Sequence, residues 1–213
     1  MSVALAERPA LLPREALLGV ALAGTSGAAL LLHWAALLPM SFTIPFLASP
    51  AALVLTGVVL VGQRRYGRLH AYSRSLLVGM SVGLLATLAY DAVRPALVLA
   101  MGGGYDPYRA QPIFGQLITG LAPTDPRALA AGWAYHTWNG LSFGMIYAIV
   151  RPQGGWRTGL AWGLGLQILM MAVYPRLLQA RLDDPAFMAT GLIGHSFWGV
   201  VLGLGVRRWG AHV

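Results

Sequence analysis

The chain has 213 residues, of which 57% are hydrophobic and 10% charged, and its formal net charge is +8. Soluble domains carry about 25% charged residues, so this composition excludes an ordinary soluble domain. All 15 cationic residues are Arg, and there is no Cys. The lack of Lys excludes a retinal Schiff base and lysine-based covalent catalysis, and the lack of Cys excludes disulfides, iron–sulfur ligation and thiol nucleophiles.

Apolar segments dominate the chain, and six of them are long enough to cross a hydrocarbon core of roughly 30 Å. They cover residues 16–38, 44–61, 75–100, 129–150, 159–178 and 185–206. The first is too long for the core of a signal peptide, so we expect it to be retained. The pattern predicts an all-α, polytopic membrane bundle of about six helices, forming a single transmembrane domain over residues 1–213.

The arginines are distributed unevenly between the two sides of such a bundle. Ten precede, follow or join the segments at one side, namely Arg8, Arg14, Arg64, Arg65, Arg68, Arg74, Arg151, Arg157, Arg207 and Arg208. The other side has four, namely Arg109, Arg127, Arg176 and Arg181. Because positive charge marks cytoplasmic loops, both termini are predicted in the cytoplasm, in a bacterial-type inner membrane. Short, scattered basic loops do not resemble a nucleic-acid surface, so nucleic acid is not an expected partner.

The longest loop, residues 102–126, is predicted on the extracytoplasmic side. Its apolar residues Ile113, Phe114, Leu117 and Ile118 have the spacing of a short interfacial helix. Such a helix would either cover the outer mouth of the bundle as a lid or serve as a plain amphipathic connector.

Two segments share the pattern G-x-x-x-H-[ST]-[WF]-x-G-x-x-x-G, one containing His136 and the other His195. The segments before them also align, through Gly83 eleven residues before Arg94 and Gly165 eleven residues before Arg176. We therefore predict two parallel hairpin repeats, approximately residues 75–151 and 157–208. The G-x-x-x-G spacing also favours close packing of helix backbones.

Ionisable residues inside apolar segments are costly in lipid and are usually paired or functional. Asp91 and Arg94 lie three residues apart on one helix face, where they form either a structural ion pair or a substrate or proton site. With Asn139 they are the candidate catalytic residues. Tyr174 and Arg176 are candidates for substrate binding, since an arginine suits an anionic headgroup.

The two repeat histidines are predicted at matching depth. Alone, each would be a hydrogen-bonding residue at a helix interface. Together, His136 and His195 are candidate ligands for a metal ion or a haem. Adding His33 and Asp91 gives a metal site of three histidines and one carboxylate, which suits zinc or iron. His33 and Asp91 are expected roughly 6–7 Å higher on ideal helices, so a tilt, or a kink at Pro95, is needed to bring the set together.

These features support three functional hypotheses. The first is a membrane enzyme or redox protein that binds metal or haem and acts on a lipophilic substrate. The second is a small-solute or proton-coupled transporter in which Asp91 titrates. The third is an accessory subunit of a larger membrane complex. The expected partners are the lipid bilayer, a lipophilic small molecule or pigment, and another membrane protein or a second copy of the chain.

Overall fold

The structure is a computed structural model that describes residues 13–210. The predicted all-α architecture is confirmed within that range, which contains seven helices and no strand. The helices are α1 Pro13–Trp34, α2 Met40–Gly62, α3 Arg68–Ala100, α4 Ala110–Thr119, α5 Pro126–Val150, α6 Trp156–Leu178 and α7 Pro185–Gly210. Arg8, one of the arginines used to predict orientation, lies outside the described residues.

Five of these helices, α1, α2, α3, α6 and α7, are long and apolar enough to cross a membrane. This result indicates a membrane protein. Helix α5 corresponds to the predicted crossing at residues 129–150 but is not among the five, because His136, Asn139 and several Trp and Tyr residues lower its hydropathy. Much of α5 is nevertheless buried, since it packs against α1, α3 and α4.

Two helices differ in extent from their predicted segments. Helix α3 begins at Arg68 rather than at residue 75, so it is 33 residues long and contains Pro95. Helix α2 begins at Met40 and includes a π-helical turn at Ile44–Ala48. Pro45 lies in this turn and has no backbone N–H to donate, which fits the local departure from α-helical hydrogen bonding.

Helices α3 and α5 pack with their backbones in direct contact. A Cβ atom placed on Gly83 would lie 2.6 Å from the carbonyl oxygen of Gly140, and one placed on Gly144 would collide with Gly79 and Gly83. A Cβ on Gly140 would collide with the hydroxyl of Thr87. Any larger residue at these positions would force the two helices apart.

Helices α6 and α7 pack through glycines in a similar way. A Cβ on Gly159 would collide with the carbonyl of Gly199, and one on Gly163 with the carbonyl of His195. Gly165 has no atom within 4 Å of its Cβ position. The predicted alignment of Gly165 with Gly83 is therefore wrong at the level of packing, and Gly159 holds the comparable position against α7.

Helix α4 lies in the loop predicted at residues 102–126 and is held closely against α5. Cβ atoms on Gly115 and Gly132 would collide with the carbonyls of Ala128 and Gln111, respectively. Phe114 of α4 is 3% exposed and packs edge-on against Tyr135 of α5. The contact with α5 places Gln111 and Phe114 over a cavity enclosed by α3, α5, α6 and α7.

Candidate functional site

Helix α3 carries a buried ion pair near its C-terminal end. Nη2 of Arg94 lies 2.6 Å from Oδ1 of Asp91, with side chains 8% and 17% exposed, respectively. The two residues are one helical turn apart, so the helix itself brings them together. The Arg94 guanidinium also lies over the ring of Tyr90, 4.1 Å from its centroid, in a cation–π contact.

Helix α5 adds a histidine to this pair. Nε2 of His136 lies 3.0 and 3.1 Å from the two carboxylate oxygens of Asp91. A carboxylate only accepts hydrogen bonds, so Nε2 carries the hydrogen and Nδ1 is left as the acceptor of the neutral ring. No other described residue forms a hydrogen bond with Nδ1. The sequence predicted a difference in depth between Asp91 and His136, but in the folded protein the two side chains are in direct contact.

Pro95 shapes the same region by removing a backbone donor. In a regular helix the N–H of residue 95 would donate to the carbonyl of Asp91, but proline has no such hydrogen. The hydroxyl of Tyr108 donates to that carbonyl instead, at 2.7 Å. Arg94 donates through Nη1 to the carbonyl of Pro107. The loop before α4 is therefore fixed to α3 by two hydrogen bonds, at Asp91 and at Arg94.

A cavity of about 80 Å³, which we call the central cavity, lies beside this cluster. Its polar lining includes Tyr90, Gln111, His136, Asn139, Tyr174 and His195. His136 and His195 therefore border one cavity. The ring of Tyr90 contacts both imidazoles, with centroid distances of 6.1 Å to His136 and 4.9 Å to His195.

His195 is held differently from His136. Its Nδ1 lies 2.9 Å from the carbonyl of Gly191, one turn earlier in α7, and the side chain is buried. A carbonyl only accepts, so Nδ1 carries the hydrogen and Nε2 is the acceptor. The two imidazoles are consequently in opposite tautomers when neutral, each fixed by its own hydrogen-bond partner.

Several buried polar atoms at this end of the bundle have no hydrogen-bond partner. They are Nε of Arg94, Oε1 of Gln111, Oδ1 of Asn139 and Nε2 of Gln167. Arg94, Gln111 and Asn139 line the central cavity, and Gln167 lines an adjoining cavity under residues 105–110. Leaving such groups unpaired costs about 1–3 kcal/mol each, so a site rich in them is suited to a polar ligand or to water.

The other predicted site residues are only partly brought into this cluster. Tyr174 lines the central cavity, whereas Arg176 is exposed and does not. His33, near the end of α1, is half-buried and also does not line it. Within residues 13–210 no group of three or more His, Asp, Glu or Cys side chains is placed to hold a metal ion. The four-ligand set of His33, Asp91, His136 and His195 is therefore not assembled, because α1 keeps His33 away from the cavity.

Four residues that were not predicted from the sequence contribute to the site. Tyr90 contacts both imidazoles, and Gln111 reaches the cavity from α4. Thr87 donates to the carbonyl of Gly83 at 2.8 Å and accepts a hydrogen bond from Nε1 of Trp198 at 3.2 Å. The spacing of Thr87, Tyr90 and Asp91 on one helix would have placed them near one face, but an uncharged residue in an apolar segment carries a weaker signal than Asp91.

The loops at this end contain further polar groups. Burial raises the pKa of the Tyr105 hydroxyl, so the tyrosine beside the cavity stays neutral. In the exposed loop before α5, hydrogen bonds from the Arg127 side chain lower the pKa of Asp125, whose carboxylate also caps the helix by accepting from the Arg127 backbone N–H. These loop charges are separate from the buried Asp91 cluster.

The chain matches no protein-family model, no curated protein and no solved structure. Its function is therefore inferred from the geometry of the site.

Proposed function

We propose that this chain is an integral membrane protein that transfers protons to or from a lipophilic substrate, with His136 as the acid–base group. The observation that carries the proposal is the hydrogen bond between Nε2 of His136 and the Asp91 carboxylate at the edge of the central cavity. A carboxylate behind a histidine fixes its tautomer and stabilises the imidazolium that forms during proton transfer.

Arg94 is assigned a positioning role in this proposal. It forms an ion pair with Asp91 and holds the loop at Pro107, so it keeps the carboxylate charged and oriented toward His136. Asn139 is the candidate for hydrogen bonding to substrate, because its Oδ1 has no partner and the residue lines the cavity. The surrounding burial strengthens each of these electrostatic contacts.

The topology proposed for the chain has six crossings, with α5 as the sixth and both termini in the cytoplasm of a bacterial-type inner membrane. It is supported by the unequal distribution of arginines between the two ends of the bundle. A half-polar α5 fits a crossing helix that is surrounded by other helices, because its polar residues do not have to face lipid.

The two hairpins, α3 with α5 and α6 with α7, are proposed to be parallel repeats. Their support is the matched glycine packing, in which Gly83 meets Gly140 and Gly159 meets Gly199. In this alignment His136 corresponds to His195, while Asp91 corresponds to Gln167. The first hairpin would then carry the charged half of the site and the second hairpin a neutral half.

A proton-coupled transporter is the second candidate function. A second cavity of about 40 Å³ adjoins the central cavity and favours this function. It reaches Tyr105 and Arg109 in the loop before α4. The two share Tyr90, Arg94 and His195. Flux of solutes or protons in vesicles separates this function from catalysis, since a transporter loses pH-driven flux in Asp91→Asn and leaves the lipid composition unchanged.

The main proposal is tested by comparing lipids from membranes that contain the wild type, His136→Ala, Asp91→Asn or no added protein. We expect at least one lipophilic species to change in amount with the wild type and not with His136→Ala or Asp91→Asn. His33→Ala is the matched control, because that histidine lies away from the cavity, and it is expected to behave as wild type. Lipid profiles that are identical with and without the wild-type protein contradict the proposal.

A further inference from the structure

A third cavity lies beside the site, on the side of the bundle formed by α1, α5 and α6. This cavity, which we call the lateral cavity, has a volume of about 30 Å³ and lies between α1 and α6. Its lining is largely apolar and includes Gly27, Leu30 and Leu31 of α1 and Leu169 and Val173 of α6. Such a lining suits a hydrocarbon chain rather than water.

The lateral cavity and the central cavity share part of their lining. Asn139, Phe143, Leu166, Met170 and Tyr174 border both of them. Moving inward, the walls change from leucine and valine side chains to the amide of Asn139 and then to the histidines. The combined space is therefore amphipathic, with an apolar arm and a polar end.

The apolar arm lies next to the surface that faces lipid. Leu169 borders the lateral cavity and is 39% exposed, and its neighbour Ile168 is 68% exposed on the outer face of α6. Helices α1 and α6 make few direct contacts with each other. A chain dissolved in the bilayer thus has a short path between these helices to the site.

The polar residues of the central cavity determine which kind of headgroup can bind there. Within residues 13–210, Arg94 is the one Arg, Asp or Glu that lines the central cavity. Asp91 already neutralises it at 2.6 Å, so a charged head in that cavity would be buried without a counter-ion at high cost. The unpaired atoms include acceptors, Oε1 of Gln111 and Oδ1 of Asn139, and a donor, Nε of Arg94. A hydroxyl group is both a donor and an acceptor, so it matches this set.

We infer that the substrate is a long-chain amphiphile with an uncharged, hydroxyl-bearing head, which reaches the site laterally between α1 and α6. The part of its chain next to the head lies in the lateral cavity, the rest of the chain stays in the lipid beside α6, and the hydroxyl lies in the central cavity near Asn139. This inference rests on the proposed function for the role of the site, and it adds the chemical class of the substrate and its route.

The probe that tests this inference is hexadecanol carrying a photoreactive diazirine in its chain, added to the purified protein in phosphatidylcholine nanodiscs. We expect saturable labelling within residues 27–31 and 166–173. An excess of hexadecanol is expected to compete, whereas hexadecane and hexadecanoate, which lack an uncharged hydroxyl head, are not. Labelling that hexadecane removes as well as hexadecanol does would overturn the inference, because the head would then play no part.

Two neighbouring substitutions test the route. Leu169→Trp fills the lateral cavity and is expected to weaken saturable labelling about tenfold. Ile168→Trp places the same side chain on the adjacent lipid-facing position and is expected to leave labelling unchanged. Retention of the thermal unfolding midpoint in both variants shows that they are folded. Equal labelling of the two variants contradicts the lateral route.

The labelling experiment tests the substrate class, and the lipid comparison tests the proposed function. Either hypothesis can therefore be contradicted without the other. His33 lines neither cavity, so His33→Ala is the control variant that is expected to keep saturable labelling. Saturable labelling without any change in membrane lipids would contradict the proton-transfer function and support the substrate class. A lipid change without hydroxyl-dependent labelling would contradict the substrate class and support the function.

Discussion

The imidazole of His136 hydrogen-bonds through Nε2 to both carboxylate oxygens of Asp91, at 3.0 and 3.1 Å, although 45 residues separate the two in the chain. The contact joins α5 to α3 next to the central cavity. It depends on the close approach of these helices, which their glycines allow. The carboxylate also binds Arg94, so three ionisable groups from two helices form one network, in which Arg94 is buried and Asp91 and His136 are half-buried.

The buried ion pair has a consequence for stability. Asp91→Ala leaves the Arg94 guanidinium buried without its anion, and we expect a loss of roughly 3 kcal/mol, because an unpaired buried charge is strongly unfavourable. Thermal unfolding in detergent, followed by circular dichroism, measures the loss. Asp183→Ala, which removes an exposed partner of Arg181, is the matched control and is expected to leave the midpoint nearly unchanged. Equal shifts in the two variants contradict the assignment.

The glycine contacts predict a position-dependent effect of one added methyl group. Gly83→Ala and Gly159→Ala introduce a Cβ atom against a backbone carbonyl and are expected to destabilise the protein by about 1–3 kcal/mol. Gly165→Ala adds the same atom where nothing lies within 4 Å, so it is expected to be neutral. Unfolding midpoints of the three variants are compared in one detergent. A loss in Gly165→Ala as large as in Gly159→Ala is inconsistent with the packing described.

The metal site predicted at His33, Asp91, His136 and His195 is not expected to contribute to stability. No group of three or more metal-ligating side chains is assembled within residues 13–210. Treatment with a chelator should therefore leave the unfolding midpoint unchanged, and elemental analysis should detect no bound zinc or iron that depends on His136. A stoichiometric metal ion that is present in the wild type and absent from His136→Ala would contradict this expectation.

The absence of Cys from the sequence permits a direct test of topology with single cysteine substitutions. Tyr66, between α2 and α3, is 98% exposed, and Leu182, between α6 and α7, is 46% exposed. With both termini in the cytoplasm, a membrane-impermeant maleimide applied to intact spheroplasts is expected to label Leu182→Cys and not Tyr66→Cys. Inverted vesicles are expected to give the reverse result. Labelling of both from one side contradicts the six-crossing topology.

The helices were largely predictable from the sequence because their apolar lengths are set by the thickness of a bilayer. The face shared by Asp91 and Arg94 was also predictable, since residues three apart in a helix are neighbours. Two features were less well predicted. The segment of α5 was counted as a crossing, but α5 is not among the five helices that are long and apolar enough to span a membrane. Helix α3 begins at Arg68 rather than at residue 75, because an exposed Arg-containing turn continues the helix.

Contacts between helices were harder to predict than the helices themselves. Spacing alone aligned Gly165 with Gly83, but spacing does not determine which face of α6 meets α7. His33 was grouped with Asp91 because of its depth, yet depth does not fix the rotation of α1 about its axis. Tyr90 and Gln111 enter the site through packing between elements, which a single sequence does not record.

The central claim is that Asp91 orients His136 so that Nδ1 is free to exchange a proton with substrate. Nitrogen NMR of protein labelled with ¹⁵N-histidine tests it directly, with His136→Gln and His195→Gln used for assignment. The account predicts that neutral His136 is protonated at Nε2 and neutral His195 at Nδ1, and that Asp91→Asn shifts the His136 signals while leaving those of His195 almost unchanged. A His136 spectrum that is the same in the wild type and in Asp91→Asn would contradict it.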